Sequence, residues 1–539
     1  MHEEKGMIAK MTYFGVAYLV VLLPLTALLY NLLPKKHRWK ILLLVSYAFF
    51  WLISNKLIIY VIGTTFLIHY IGIWLELIQT ERNLALKEAE KEQKKSIRAD
   101  YLKKQRKVLA FGVIVNVGIL LVVKYTGFIG GNINSLLQSL KIPLKLQIPK
   151  ILMPIGISFY TLQAVSYLVD VYHEKIKADK NIARLSLYLT FFPQIMEGPI
   201  CRYSETAMQL WEGNKITYES LKSGLLRMSY GIIKKMIIAD RLNRFIGEIY
   251  THYGSYDGGI MVVGMVLYTL QLYMDFSGTM DLAIGTSEIF GIKLPENFKQ
   301  PFFSKNISEF WTRWHITLGA FFRDYIFYPL SLSEPLKKLT TNARKKIGKY
   351  YGPLIASAIA LFCVWFCNGL WHGAAWTFIF FGMYHFILIL SGKIFEPAVL
   401  WVSAKLHINR ERKWYKGIQI IKTTLLVFVG ELFFRATTVT AGFEMLGKMF
   451  TNFTFKSFTD GTILSLGMDI QDFIIIAIFT VLVFIISVMH EKDISVREKI
   501  AKKNIVIRWT IYYLIIFAII LFGAYGANYE VVQPMYANF

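Results

Sequence analysis

Residues 11–33 read MTYFGVAYLVVLLPLTALLYNLL, twenty-three positions without one Asp, Glu, Lys or Arg. About 20 apolar residues in a helix cross the hydrocarbon core of a bilayer, and lipid admits only backbone whose hydrogen bonds close internally. Six more runs, 57–78, 108–130, 374–395, 418–436, 472–490 and 509–526, approach or reach that length. The stretches 41–54, 151–170, 184–200, 222–240 and 258–274 are broken by Gly, Pro or a charge, so each is expected to span, re-enter or lie in the interface. The fold class that follows is all-α, a polytopic integral membrane protein with about 11–13 membrane helices counting re-entrant and interfacial segments. One membrane domain over 1–539 is expected, with neither an internal repeat nor a separate soluble domain, and 391–539 supplies its C-terminal helices. The first run starts after ten residues and lacks a small-residue cleavage site, so it is expected to stay as a transmembrane segment.

The formal charge of +24 would suit nucleic acid if it lay along one soluble face, but it is gathered in loops. Basic residues collect in 35–40, 79–107 (ten Lys and Arg), 335–349 (six), 405–416 (five) and 492–508 (six), whereas 437–471 holds only Lys448 and Lys456 and 526–539 holds none. The excess of Lys and Arg in cytoplasmic loops assigns the basic set to the cytoplasm and the C-terminus to the other side, with a tight hairpin at 41–78. Lys141, Lys145 and Lys150 dissent mildly, falling on the external side. The stretch 79–107 mixes Glu and Lys at helical spacing and reads as a charged cytoplasmic helical loop. Three cysteines, Cys201, Cys363 and Cys367, exclude a disulfide scaffold and have no zinc spacing.

Ionisable residues inside membrane segments are costly and mark function by default. His69 has no ionisable neighbour in its segment and reads as a helix-packing residue. His372 lies in CNGLWHGAAWTFIFFGMYH, where Gly369, Gly373, Ala374 and Ala375 leave room for close approach and Trp371 and Trp376 wall the ring. A near-neutral imidazole there can take the proton of an acceptor hydroxyl as its oxygen attacks an acyl carbonyl. The same patch reads equally as small-residue helix packing around a buried histidine. His385 is expected further along the same helix, as an orienting or packing residue.

His315 falls in NFKQPFFSKNISEFWTRWHITLGAFFRDYIFYPL, too polar and aromatic for a plain span and expected to be interfacial. Asn306 with Glu309 three positions on resembles a capping box, and one helix from there would put Trp311, His315, Leu318 and Phe322 on one face. Arg323 and Asp324 would anchor its end. Asp275 and Asp281 interrupt an apolar run and each demands a cation, a hydrogen bond or water. Pro193, Gly198 and Pro199 break the helix near Glu197 and Arg202; for these two sites, holding non-helical backbone within the membrane is the expected role. There is no Ser elbow, Walker loop or dinucleotide fingerprint. Cys367 as a nucleophile is disfavoured because apolar surroundings suppress the thiolate.

Taken in order, MPIGISFYTLQAVSYLVDVY (153–172), FFPQIMEGPICRY (191–203), YMDFSGTMDLAIG (273–285), LPENFKQPFFSKNISEFWTRWHITLGAFFRDYIFYPL (294–330) and GLWHGAAWTFIFFGMYH (369–385) resemble the membrane-bound O-acyltransferase family. The subgroup is that of the alginate O-acetyltransferase membrane subunit and the D-alanyl transfer protein of teichoic acids. The resemblance covers 150–390, the expected motif core. It implies a bacterial inner-membrane enzyme built around a funnel or tunnel, with His372 at its narrow part as catalytic base and His315 as the second signature position. Trp311, Trp314, Trp371, Gly373, Asp275, Arg323, Asp324 and His385 would line or support that tunnel. It also implies no tightly bound cofactor or metal. The acyl donor would be acetyl-CoA or an acyl carrier on the cytoplasmic side, the acceptor an envelope polysaccharide or teichoic acid, and an extracytoplasmic partner protein would complete transfer. The chain departs from these relatives after YPL, in SLSEPLKKLTTNARKKIGKYYG, a loop by the charge count, which puts donor recognition in question rather than the chemistry.

The function these motifs favour is transfer of a short acyl group, acetyl by preference, to a cell-envelope polysaccharide. D-alanyl transfer to teichoic acid is the alternative in the same chemistry. A transporter or lipid flippase, suggested by broken helices and buried Asp275, is the alternative of another class, opposed by the missing two-fold repeat.

Overall fold

The computed structural model describes residues 12–525. The ten residues ahead of the first apolar run and the expected external tail 526–539 lie outside them. The described chain is helical with no β-strand, only an isolated bridge between Phe298 and Trp314. Eight helical stretches are long and apolar enough to cross a membrane: Lys35–Glu88, Lys94–Ser139, Gly258–Ile289, Glu334–His372, Trp376–Lys405, Lys413–Arg435, Ile470–Glu491 and Ile505–Phe522. The protein is therefore multi-pass and all-α, as its apolar runs require. The remaining segments are shorter: the first apolar run is π-helical over Ala17–Leu22 and α-helical over Leu23–Leu32, and the Lys35–Glu88 stretch is broken at Asn55, with φ 47° between Arg38–Ser54 and Ile58–Glu88.

One stretch read as a loop is helix, and the stretch read as a charged helical loop is helix as well. The basic segment 335–349 is the first part of the Glu334–His372 helix, deflected at Gly348 (φ 86°). Its lysines and arginines are good helix formers, and charge density marks a segment as solvated without deciding its backbone. The charged stretch 79–107 likewise forms the ends of two long helices, Ile58–Glu88 and Lys94–Ser139, with a short break between them.

The chain packs as two compact units. One comprises residues up to 225 with 283–295, the other 226–282 with 296 onward; the motif core 150–390 contributes to both. Within the first unit the Pro/Gly-rich segment 191–200 is non-helical and buried; some of its backbone groups pair within the segment, as Gln194 N–H and Ile195 N–H do with the Phe191 carbonyl, and others pair with side chains. Ser46 Oγ accepts from Phe192 N–H (3.0 Å), while Tyr13 donates to the Phe192 carbonyl (2.9 Å) and accepts from Met196 N–H (3.1 Å). This answers the requirement that irregular backbone at membrane depth be paired by protein. Tyr13, Tyr18, Phe49 and Phe192 pack their rings around it.

Within the second unit Asp275 and Asp281 lie inside the unbroken Gly258–Ile289 helix, not at a backbone break as expected. Each has its cation from the segment in front. Lys235 pairs with Asp240 (2.5 Å) and Asp275 (3.2 Å), while Arg227 and Lys234 both pair with Asp281. Lys234 and Lys235 sit in a π-helical turn, Ile233–Ala239. The two backbones touch: a Cβ on Gly278 would lie 2.8 Å from the Gly231 carbonyl oxygen. Glycine at both positions allows the contact that brings the lysines within reach of the carboxylates.

Candidate active site

The second unit holds every candidate site residue, and the local backbone differs from expectation at both key histidines. The Glu334–His372 helix ends at His372. Gly373 is extended and the next helix starts at Trp376, so His372 and His385 are on different helices. Two features stop the first helix. Glycine is a poor helix former, and Gly373 lies against Phe378, whose ring a Cβ would meet at 2.2 Å. A terminal residue presents its ring beyond the helix, where an interior one would face a packed neighbour. His372 is 3% exposed, enclosed by Trp371 (ring centroids 5.0 Å), Phe434 (5.1 Å) and Phe381 (5.9 Å).

Nor does one helix run through WTRWH. Asn306 caps Ile307–Arg313 as expected, its side chain accepting from Glu309 N–H at 2.9 Å, and the Glu309 carboxylate closes the turn on Lys305 N–H at 2.9 Å. The helix then stops. Trp314 is extended and His315 adopts φ 47°, ψ 51° before Ile316–Phe322 begins. Trp311 and His315 therefore do not share a face. A left-handed non-glycine residue costs on the order of 1–3 kcal/mol and persists only where its surroundings over-determine it. Here Asn297 supplies the constraint: its carbonyl accepts Ile316 N–H (3.0 Å) and its Oδ1 accepts Thr317 N–H (3.0 Å).

The break turns His315 toward Trp371, with ring centroids 5.4 Å apart, and toward Phe276 at 4.7 Å. Trp371 thus contacts both imidazoles. His315 lies outside the eight long spans, and burial pushes its pKa down to about 3, so the ring is neutral at physiological pH. His385 belongs to a second cluster: Trp311 Nε1 donates to its Nδ1 at 3.2 Å, and Trp365 and Phe381 stack around it. Trp314 packs among Phe298, Phe310 and Tyr273. Arg323 and Asp324 pair with each other in the π-helical turn beyond Phe322 (2.8 Å). Asp275 belongs to the ionic cluster with Lys235. Cys363 and Cys367 are free, part-exposed thiols on the helix that ends at His372.

Gly430 fixes the His385 cluster from the Lys413–Arg435 helix, because a Cβ there would come within 2.7 Å of His385 Nε2. Gly430→Ala is expected to push the imidazole off Trp311 and to cost about 1–3 kcal/mol by overpacking. Thermal unfolding in detergent reads this as a lowered Tm; an unchanged Tm would mean that His385 can shift without loss.

A cavity of about 810 Å³ opens between the Gly258–Ile289, Ile470–Glu491 and Ile505–Phe522 helices. Asn297 and Ile316, which flank His315 in space and in sequence, line it together with Arg227, Lys234, Lys299 and Arg497. Arg227 is also held by Glu296, at 2.9 and 2.7 Å. The sequence reading singled out none of Asn297, Arg227, Lys234 and Lys235. A signal existed for the cations, since two buried aspartates in one apolar run require positive partners and 222–240 contains them. Asn297 gave none, because a buried asparagine in a motif looks like any loop residue.

The family model described as "MBOAT, membrane-bound O-acyltransferase family" matches residues 150–343. The chain is 30% identical over 442 residues to a probable alginate O-acetylase AlgI of Azotobacter vinelandii, covering 82% of this chain and 78% of the relative. It is 31% identical over 367 residues to a peptidoglycan O-acetyltransferase of Helicobacter pylori (63% and 64%) and 32% identical over 281 residues to a teichoic acid D-alanyltransferase of Bacillus subtilis (51% and 65%).

Proposed function

Since this chain belongs to the membrane-bound O-acyltransferase family and is an O-acyltransferase, we propose that it moves an acetyl group onto hydroxyls of a cell-envelope polysaccharide, with His372 as general base. The observation that carries this reading is the placement of His372: a buried helix-terminal imidazole, walled by aromatic rings, sharing Trp371 with a second buried histidine. His372 takes the acceptor's hydroxyl proton as the oxygen bonds to the acyl carbon. The carbon–sulfur bond of the donor thioester then breaks, and the proton passes to the leaving thiolate. His315, which shares the Trp371 ring with His372, supports the reacting groups. The dry aromatic walls keep out water, which competes for the activated acyl group.

The donor, acetyl-coenzyme A or an acylated carrier, enters from the cytoplasm through the cavity that ends at Asn297 and Ile316. Its Lys299 and Arg497, the latter from the basic segment 492–508, suit an anionic thioester, while its Arg227 and Lys234 are paired with Asp281 and Glu296. The enzyme works in the bacterial inner membrane with its basic segments cytoplasmic, needs no tightly bound cofactor, and hands its product to an acceptor on the outer side with an extracytoplasmic partner. Acetyl is preferred over D-alanyl because the acetylase relative is matched over 82% of the chain and the D-alanyltransferase over 51%.

Inverted membrane vesicles given labelled acetyl-coenzyme A test the donor. Label is expected in base-labile ester on polysaccharide, dependent on this protein. Label that enters only from a D-alanyl carrier would replace acetyl by D-alanyl, and uptake of free sugar or lipid without ester formation would overturn the acyltransferase reading.

A further inference from the structure

The segment 297–300 lies antiparallel to 313–316. Lys299 N–H donates to the Arg313 carbonyl (2.9 Å), Ile316 N–H donates to the Asn297 carbonyl (3.0 Å), and Phe298 bridges Trp314 between them. The His315 turn closes this small ladder. The Asn297 side chain reaches back into it, fully buried, and its Oδ1 collects three partners: Thr317 N–H at 3.0 Å, the Thr317 hydroxyl at 3.0 Å and His315 Nδ1 at 3.3 Å. A backbone N–H can only donate, so the amide must turn its oxygen, not its nitrogen, into this cluster. That oxygen has no proton to give, and Nδ1 of His315 therefore meets it as N–H. A neutral imidazole protonated on Nδ1 carries its lone pair on Nε2.

We infer that Asn297 is a positioning residue for acyl transfer: it fixes the tautomer and ring angle of His315, so that Nδ1 is held as the donor and the ring's acceptor lone pair stands on Nε2. The inference rests on the reading of His315 as a support for the reaction. It is chemically specific, because a residue that merely filled space would not need an acceptor at Oδ1. The rings that face the imidazole, Phe276 of the Gly258–Ile289 helix and Trp371 of the Glu334–His372 helix, do not titrate in the relevant range. The lowering of its pKa comes from burial, with no charged side chain contributing.

The test uses the full chain in membranes with labelled acetyl-coenzyme A, comparing pH–rate profiles of wild type, Asn297→Ala, Asn297→Asp and His315→Ala. It also records nitrogen-15 spectra of histidine-labelled protein, assigned by difference against His315→Ala. Asn297→Ala is expected to slow transfer on the order of 100-fold through misplacement of the ring and to lose the protonated-Nδ1 signature of His315. Asn297→Asp keeps an acceptor at that position. It is expected to recover part of the rate and, because a carboxylate favours the imidazolium, to move the acid limb of the profile to higher pH. Equal losses in both variants with the wild-type pH profile and an unchanged nitrogen signature would overturn the inference and leave Asn297 a packing residue, as would full activity in both. A fully active His315→Ala would instead remove His315 from the reaction, while the nitrogen spectra still report whether Asn297 sets its tautomer.

Discussion

Membranes carrying His372→Ala are expected to transfer acyl groups about 100- to 10,000-fold more slowly than wild type, the range a positioned general base contributes, while the protein inserts and accumulates normally. The separation of the two effects follows from position. His372 ends its helix, so truncating it disturbs no interior helical turn, and the aromatic rings around it remain packed on one another: Phe378 and Phe381 each contact Phe434 at about 5 Å. The loss is therefore expected in turnover, with donor binding retained, because the basic cavity residues are untouched. His372→Gln, which offers a hydrogen bond without a base of suitable pKa, should be nearly as slow. Transfer at the wild-type rate in either variant removes His372 from the chemistry and makes the Trp-His-Gly sequence a packing device.

The second large effect is on stability. Lys235→Met removes the cation held between Asp240 and Asp275. Lys235 is 1% exposed, so its loss leaves buried carboxylates uncompensated, a change worth about 3–5 kcal/mol. Low accumulation and a clearly depressed Tm in detergent are the expected results. Adding Asp275→Asn removes part of the exposed charge and should restore some of the loss, so that the double variant is less impaired than the sum of the singles. A Lys235→Met protein that melts like wild type would mean that the carboxylates find other compensation and that the cluster does not hold the Ile233–Ala239 turn to its helix.

The all-α, multi-pass character was legible because lipid leaves a chain few choices: runs without charge must be helices with internally closed hydrogen bonds, and 472–490 or 509–526 can be little else. The family was legible because five motifs fall in one order. The paths within 294–330 and 369–385 were not. Both segments look helical by composition, and each is broken beside its histidine by a contact from outside the helix: Asn297 holds the left-handed His315, and Phe378 of the next helix lies against Gly373 just after His372. Charge misled in 335–349, where solvation and helicity coexist.

By itself, then, the sequence singled out His372 and His315 as the residues proposed for the chemistry and determined that they lie in a membrane protein of acyltransferase type, because residue identity and apolar length act locally. Only the tertiary structure decided that the two histidines share Trp371, that His385 belongs to a different helix from His372, and that Lys235 is the cation paired with Asp275. Those outcomes depend on which backbones approach closely enough to touch, and close approach is a property of packed glycines and buried amides that no linear spacing encodes.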